Sequence, residues 1–346
     1  MDSSAPSGSS APSGSSAPSG SSPDAPEPAP ASARTAAQQP SGTGIALVLG
    51  CYTLWGVFPL YFRLLAEAGS VEIIGHRIVW TLVTCLGLVA VRRRWGRLRR
   101  ILRSARLLGA LTVSGLLVSV NWLIYVYGVN TGRTADAALG YFINPLVTVA
   151  LASLVLRERL RPVHRVSIGL ATAAVALLVV LQGSLPWISL ALALSFGLYG
   201  LVKKRIGPQV DALTGLTVES AVVCPAAAAY LGRLAWQGQS AWQDPHAGAL
   251  LGALLLTAGP VTAVPLLLFA AGTRRVPLNV VGMSQYIAPI IQFVLAWAVF
   301  REAIPPARWA AMVLVWAAVA IFVADAVHQT ARRPRSRGPA RPGPRT

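Results

Sequence analysis

Ten apolar stretches follow one another between residues 44 and 327, separated by short polar loops, and they leave this chain few ways to fold. They occupy residues 44–65, 71–91, 107–128, 136–156, 166–182, 185–202, 213–232, 248–271, 278–300 and 309–327. About 20 such residues cross ~30 Å of hydrocarbon as a helix. A soluble helix carries an apolar stripe with a polar back, whereas these are apolar nearly all round. A backbone in lipid must satisfy its own hydrogen bonds, so segments of this length cross as helices. The expected fold is an all-α polytopic membrane protein with ten transmembrane helices. Only 12% of residues are charged, about half the share in an ordinary soluble domain. That disfavours a soluble enzyme. It also argues against nucleic acid as a partner, despite a net charge of +18.

The positive charge reports topology instead. Eight arginines (Arg92, Arg93, Arg94, Arg97, Arg99, Arg100, Arg103, Arg106) follow span 2. Arg157, Arg159, Arg161 and Arg165 follow span 4, Lys203, Lys204 and Arg205 follow span 6, and Arg274 and Arg275 follow span 8. With Arg34 and the six arginines from Arg332 onward, 24 of the 30 basic residues fall on one side. Both termini are therefore expected in the cytoplasm of a cell (plasma or inner) membrane protein. Residues 1–43, with Ala-Pro-Ser-Gly-Ser-Ser repeated from Ala5 to Ser22, read as a disordered Ser/Ala/Pro-rich tail. They lack the basic and short apolar regions of a signal peptide. Residues 329–346 read as a basic Arg/Pro tail. Cys51, Cys85 and Cys224 have no metal or redox spacing and read as small buried apolar residues.

A single offset of 144 residues superimposes one half of the chain on the other. Ile143, Pro145, Leu151, Val155, Arg157, Glu158 and Pro162 recur as Ile287, Pro289, Leu295, Val299, Arg301, Glu302 and Pro306. Ala173-Ala174-Val175-Ala176 recurs as Ala317-Ala318-Val319-Ala320, and Gly128 recurs as Gly272. Each unit, 44–182 and 185–328, holds five spans. Five is odd, so the second copy enters the membrane upside down. Two inverted five-helix repeats are the architecture of many secondary transporters, with the solute site near the midplane between them.

The chain resembles the drug/metabolite transporter superfamily, and within it the RarD branch of the EamA-type ten-helix permeases. The residues that carry the resemblance are Gly140-Tyr141-Phe142-Ile143-Asn144-Pro145-Leu146, His76-Arg77, Asn121-Trp122, Gly183-Ser184-Leu185-Pro186 and Ser195 to Val202. The resemblance covers about residues 44–328. It implies two inverted EamA-like repeats, a central cavity, and export or exchange of a small metabolite or drug-like solute. It supplies no substrate. The N-terminal extension departs from the compact family pattern.

Ionisable residues inside a span are costly and normally face a cavity or a partner. Glu72 and His76 lie four apart on one face of span 2. Arg77, ~9 Å below the outer end at ~1.5 Å per residue, suits an anionic or carboxylate solute, against snorkelling or a structural pair with Glu72. Glu219, beside the repeat equivalent of His76, is with His76 a candidate for a coupling proton. Pro145 and Pro289 remove backbone donors and free the carbonyls of Tyr141 and Gln285. Tyr141, Asn144, Gln285, Tyr286 and Gln292 accordingly mark spans 4 and 9 as cavity walls, with a plain packing kink as the alternative. Asn121, Tyr125 and Trp55 are weaker candidates. Glu158 and Glu302 read as helix-end charges beside Arg157 and Arg301, and Asp136 as a charge at a helix N-terminus. Gly248 and Gly252 read as close packing within the protomer, which leaves a homodimer open.

Arg77, His76, Tyr141, Asn144, Gln285 and Tyr286 are thus the candidate solute contacts. The chain has no nucleotide-binding loop, no hydrolase motif and no clustered metal ligands. It is not expected to be an enzyme, and no cofactor or metal is called for. The partners expected are a small-molecule solute, the bilayer, and anionic lipid at the basic loops and tail. The leading reading is a secondary transporter working by alternating access. A flippase for a lipid-linked or amphipathic molecule and a non-transporting scaffold are the rivals.

Overall fold

In the computed structural model, residues 42–156, 162–243, 248–276 and 278–332 are described, and among them there are helices and turns but no strand. The helices are α1 (Gly42–Leu64), α2 (Ser70–Val91), α3 (Trp95–Leu102), α4 (Ala105–Asn130), α5 (Thr134–Leu156) and α6 (Pro162–Gln182). They continue as α7 (Trp187–Ile206), α8 (Ala212–Trp236), α9 (Gly248–Gly272), α10 (Leu278–Ser284), α11 (Ile287–Val294) and α12 (Pro306–Arg332). Ten of the segments so formed are long and apolar enough to cross a membrane, span 9 being built from α10, α11 and the turns that follow. The chain is a multi-pass membrane protein with the ten spans expected.

Packing follows the repeat. The main helix contacts are α5 with α7, α4 with α7, α2 with α9, α1 with α9, α1 with α11, and α4 with α8. Exchanging each helix for its repeat mate turns α5–α7 into α11–α1, α4–α7 into α9–α1, and α2–α9 into α8–α4. The contacts α2–α8, α5–α11 and α6–α12 map onto themselves. Nearly every large interface therefore joins one half to the other, and two inverted five-helix repeats form one interleaved bundle.

Two of the glycines that allow close crossings are a repeat-related pair. A Cβ on Gly115 of α4 would lie 2.8 Å from the Glu219 carbonyl oxygen of α8, and one on Gly259 of α9 would lie 2.2 Å from that of Trp80 in α2. They stand 144 residues apart, at equivalent places in the repeats. Small residues let backbones approach where lipid supplies no hydrophobic drive between helices.

The structure differs from the sequence expectation at two elements. The arginine-rich loop after span 2 contains α3, whose Leu98 and Ile101 are buried while its arginines face out. Trp95, Leu98, Ile101 and Leu102 carry the helical spacing, too short a run to stand out among eight arginines. Span 9 is not one helix. The Tyr286 N–H donates to the Met283 carbonyl at 3.4 Å, three residues back, and α11 restarts beyond it. Pro289 is the third residue of α11, where an N–H has no helical partner in any case. Its repeat mate Pro145 lies inside an unbroken α5, as Pro59, Pro225, Pro260 and Pro265 lie inside α1, α8 and α9. After α11 the chain widens into a π-turn at Leu295–Val299, and Arg301 takes a left-handed φ of 52° that ends it.

The arginine-rich end is tied by Asp211. It caps α8, accepting from the Thr214 N–H at 3.2 Å, and it pairs with Arg94 at 3.1 Å and Arg97 at 3.4 Å. Burial pushes its pKa up, but the bonds from Thr214 and the two guanidiniums outweigh that and hold it below the usual carboxylate range.

Two predictions follow from these contacts. Gly259→Val should destabilise the protein severely, beyond the ~1–3 kcal/mol usual for overpacking. Gly252→Val should be nearly silent, since nothing lies within 4 Å of a Cβ there. Thermal unfolding in detergent distinguishes the two. Asp211 should stabilise the fold fully above its unfolded pKa of about 3.9, and the stabilisation should vanish as pH falls through the lower folded value. Asp211→Asn should therefore melt earlier than wild type at pH 7, with the gap closing below about pH 4.

Candidate functional site

The crossing of α2 and α9 at Gly259 brings Thr262 to Arg77. The Arg77 Nε–H donates to Thr262 Oγ1 at 3.0 Å, and that hydroxyl donates onward to the Ala258 carbonyl at 2.8 Å. The guanidinium lies 4.0 Å from the centroid of the Trp122 ring, 5.4 Å from Phe62 and 5.8 Å from Phe58. Phe58 and Phe62 are four apart on α1 and present one face. The residue is 4% exposed. Among the described residues it has no carboxylate partner, and its Nη1 is buried without a hydrogen bond. Taking such an ion out of water costs several kcal/mol. Three ring faces at ~0.5–2 kcal/mol each are of the same order, but the unmet donor still costs ~1–3 kcal/mol.

Behind this cage, Tyr125 and Tyr141 pack ring against ring at 5.5 Å, and the Tyr125 hydroxyl is buried without a partner among the described residues. The Tyr141 hydroxyl donates to Asn121 Oδ1 at 3.2 Å. Asn121 Nδ2 donates to the Leu192 carbonyl at 3.1 Å and Ser195 Oγ at 2.9 Å. Asn121 thus joins α4, α5 and α7, and fixes the wall of the cage.

His76 and Glu72 point elsewhere. Glu72 Oε1 accepts from Ser240 Oγ and the Ala241 N–H, both at 2.9 Å, and lies 3.8 Å from His76 Nε2. The imidazole stacks on Trp242 at 5.6 Å. The structural pair of Arg77 with Glu72 is not formed. Glu72 instead lines an open cleft of about 410 Å³ with Glu67, Gly69, Gly238, Ser240 and Gln243.

The other candidates are spread through the bundle. Glu219, 2% exposed, accepts from Lys203 Nζ at 2.8 Å and from the Ser114 hydroxyl, toward the arginine-rich end. Asn144 accepts from Thr148 one turn on. Tyr286 stacks on Phe142 at 6.5 Å, in the core shared by α5, α6 and α12, apart from the cluster around Phe62 and Tyr125. Gln292 Nε2 donates to the Trp55 carbonyl at 3.1 Å. Among the described residues, no three His, Cys, Asp or Glu gather as a metal site.

The end opposite the arginines is latched between the halves. Asp136, 3% exposed, pairs with Arg133 at 2.9 Å and with Arg308 of α12 at 3.1 Å. Glu302 accepts from the backbone N–H groups of Thr134 at 2.8 Å and Ala135 at 3.0 Å, and so caps α5 with both oxygens. Sequence spacing places Glu302 beside Arg301. The left-handed turn at Arg301 instead delivers it to the other repeat. Glu158 and Arg157 lie outside the described residues.

The model of the EamA-like transporter family matches residues 42–180 and 185–324. The chain belongs to the EamA-like transporter family. It is 45% identical over 302 residues to Protein RarD of Streptomyces exfoliatus, covering 87% of this chain and 94% of that protein. It is 40% identical over 301 residues to an uncharacterized transporter of Vibrio cholerae serotype O1, covering 86% and 98%. One crystal structure shares the fold at a TM-score of 0.53 and 16% identity, covering 84% of this chain and 99% of that one. This EamA protein is therefore a membrane transporter of the drug/metabolite superfamily, and a member of its RarD branch.

Removing the latch should be costly in a graded way. Asp136→Ala strands two arginines and should cost about 2–4 kcal/mol. Glu302→Ala loses only a cap and should cost about 1–2 kcal/mol. The order of melting temperatures in detergent checks this.

Proposed function

We propose that this EamA protein is a secondary transporter, an exporter or exchanger of a small organic solute, working by alternating access around Arg77. The observation that carries the reading is a buried guanidinium with an unmet donor, 4% exposed, at a point where helices of both repeats meet. A cation held that way in a membrane marks a solute or ion path by default. Polar ties between the halves lie at both ends: Arg94 and Arg97 with Asp211 at one, Glu302 and Arg308 with α5 at the other. Opening one set while the other holds would expose the cage to one side at a time. Glu219 and His76 remain the groups proposed to carry a coupling proton. The basic loops favour cytoplasmic termini, which places the Glu302 latch outside.

Counterflow of pooled metabolites into proteoliposomes tests the reading. Wild-type protein should exchange at least one solute, and Arg77→Ala should lose most of that exchange. Inert vesicles would sink the transporter reading. An Arg77→Ala protein as active as wild type would remove Arg77 from the site. If Glu219 couples protons, Glu219→Gln should keep exchange but lose uptake driven by a pH gradient.

A further inference from the structure

We propose that the Arg77 cage selects small monocarboxylates with a flat apolar body, and discriminates against zwitterions and cations of the same shape. The inference deepens the transporter reading and rests on it. Three features of the site lead there.

The charge requirement comes from how the buried acids are used. Glu72 is held by Ser240 and Ala241, Asp136 by Arg133 and Arg308, and Glu219 by Lys203 and Ser114. Among the described residues, none of the three is paired with Arg77. A carboxylate entering the cage meets a buried guanidinium with Nη1 unfilled. An ammonium entering the same site meets a cation, and Glu219, whose Oε2 is unfilled, lies toward the arginine-rich end beside Lys203. A zwitterion satisfies one end and leaves the other unpaired in a desolvated site, which selects against it. A dianion strands its second charge in the same way.

The body requirement comes from the walls. Trp122 lies over the guanidinium at 4.0 Å, with Phe62 at 5.4 Å and Tyr125 edge-to-face with Phe62 at 5.9 Å. Flat rings accept a planar group edge-on or offset-stacked. A branched sugar or a polyol would leave most of its hydroxyls facing carbon.

The third feature is the Tyr125 hydroxyl, buried and unpartnered among the described residues, in the ring cluster that backs the cage. It gives a carboxylate's second oxygen a donor that Arg77 does not have to supply. Two unfilled polar groups among apolar rings match one carboxylate on one ring.

Three probes that share a phenyl ring and a two-carbon arm separate the charge types: 3-phenylpropanoate, phenylalanine and 2-phenylethylamine. Isothermal titration of the purified full chain in detergent should rank 3-phenylpropanoate at least tenfold tighter than either of the others. Arg77→Gln should lose that binding at least tenfold, Arg77→Lys should retain part of it, and Tyr125→Phe should weaken it several-fold. Equal or tighter binding of phenylalanine or 2-phenylethylamine overturns the proposal, as does an Arg77→Gln protein that binds like wild type. If Arg77→Gln does not fold, the wild-type ranking still decides. Flux is a separate readout. Vesicles that exchange pooled metabolites while detergent protein ignores 3-phenylpropanoate sink the substrate class and leave the transporter. Vesicles that exchange nothing sink the transporter reading itself.

Discussion

Close backbone-to-backbone crossings set the framework of this bundle, and the repeat-related pair at Gly115 and Gly259 positions its buried charges. In lipid a leucine gains nothing by leaving acyl chains for another leucine, so helices associate where their backbones fit. A carbonyl oxygen 2.2 Å from where a Cβ would sit leaves room for hydrogen alone. The crossing at Gly259 sets α9 against α2, and the placement of Thr262 on Arg77 follows. The crossing at Gly115 sets α8 against α4, and the meeting of Glu219 with Ser114 follows. The two buried charges of α2 and α8 are therefore positioned by the same device, used once in each repeat.

Those charges are treated differently. Each buried carboxylate among the described residues has basic, hydroxyl or amide donors around it, and all three are tied to the opposite repeat. Arg77 has ring faces and one hydroxyl. Cation–π contact tolerates a range of orientations, whereas a bidentate salt bridge does not. The arginine is thus held without being locked, which suits the exchange of partners that the proposed solute site requires. At the Glu302 latch and the Asp211 tie, both carboxylate oxygens are engaged. In the cage, Arg77 Nη1 and the Tyr125 hydroxyl are left over.

Much of this was legible in the residues. The ten spans, the offset of 144 and the membership in the transporter family followed from apolar length, spacing and local motifs such as Gly140 to Leu146. Arg77 stood out because it obeyed no loop rule. The sequence did not disclose who its neighbours are, since Trp122, Phe58 and Thr262 come from three other helices and carry no local signature. The cap by Glu302 was hidden for another reason. It depends on a non-glycine residue, Arg301, adopting a left-handed φ of 52°, which propensity argues against. Helix α3 was hidden by composition, its two buried residues being outnumbered by arginines.

The repeat mates also diverge where it matters. Pro145 sits in a continuous helix and Pro289 behind a break, while Arg77 is matched 144 residues on by Ala221. A carrier made of two identical inverted halves has inward-facing and outward-facing states of equal free energy, because one is the other turned over. Under the alternating-access proposal, that degeneracy is lifted here by an intact helix on one side, a jointed one on the other, and a cation without a counterpart. The same proposal then implies that, even with equal solute on both sides of an unpolarised membrane, the protein would rest facing one way more than the other.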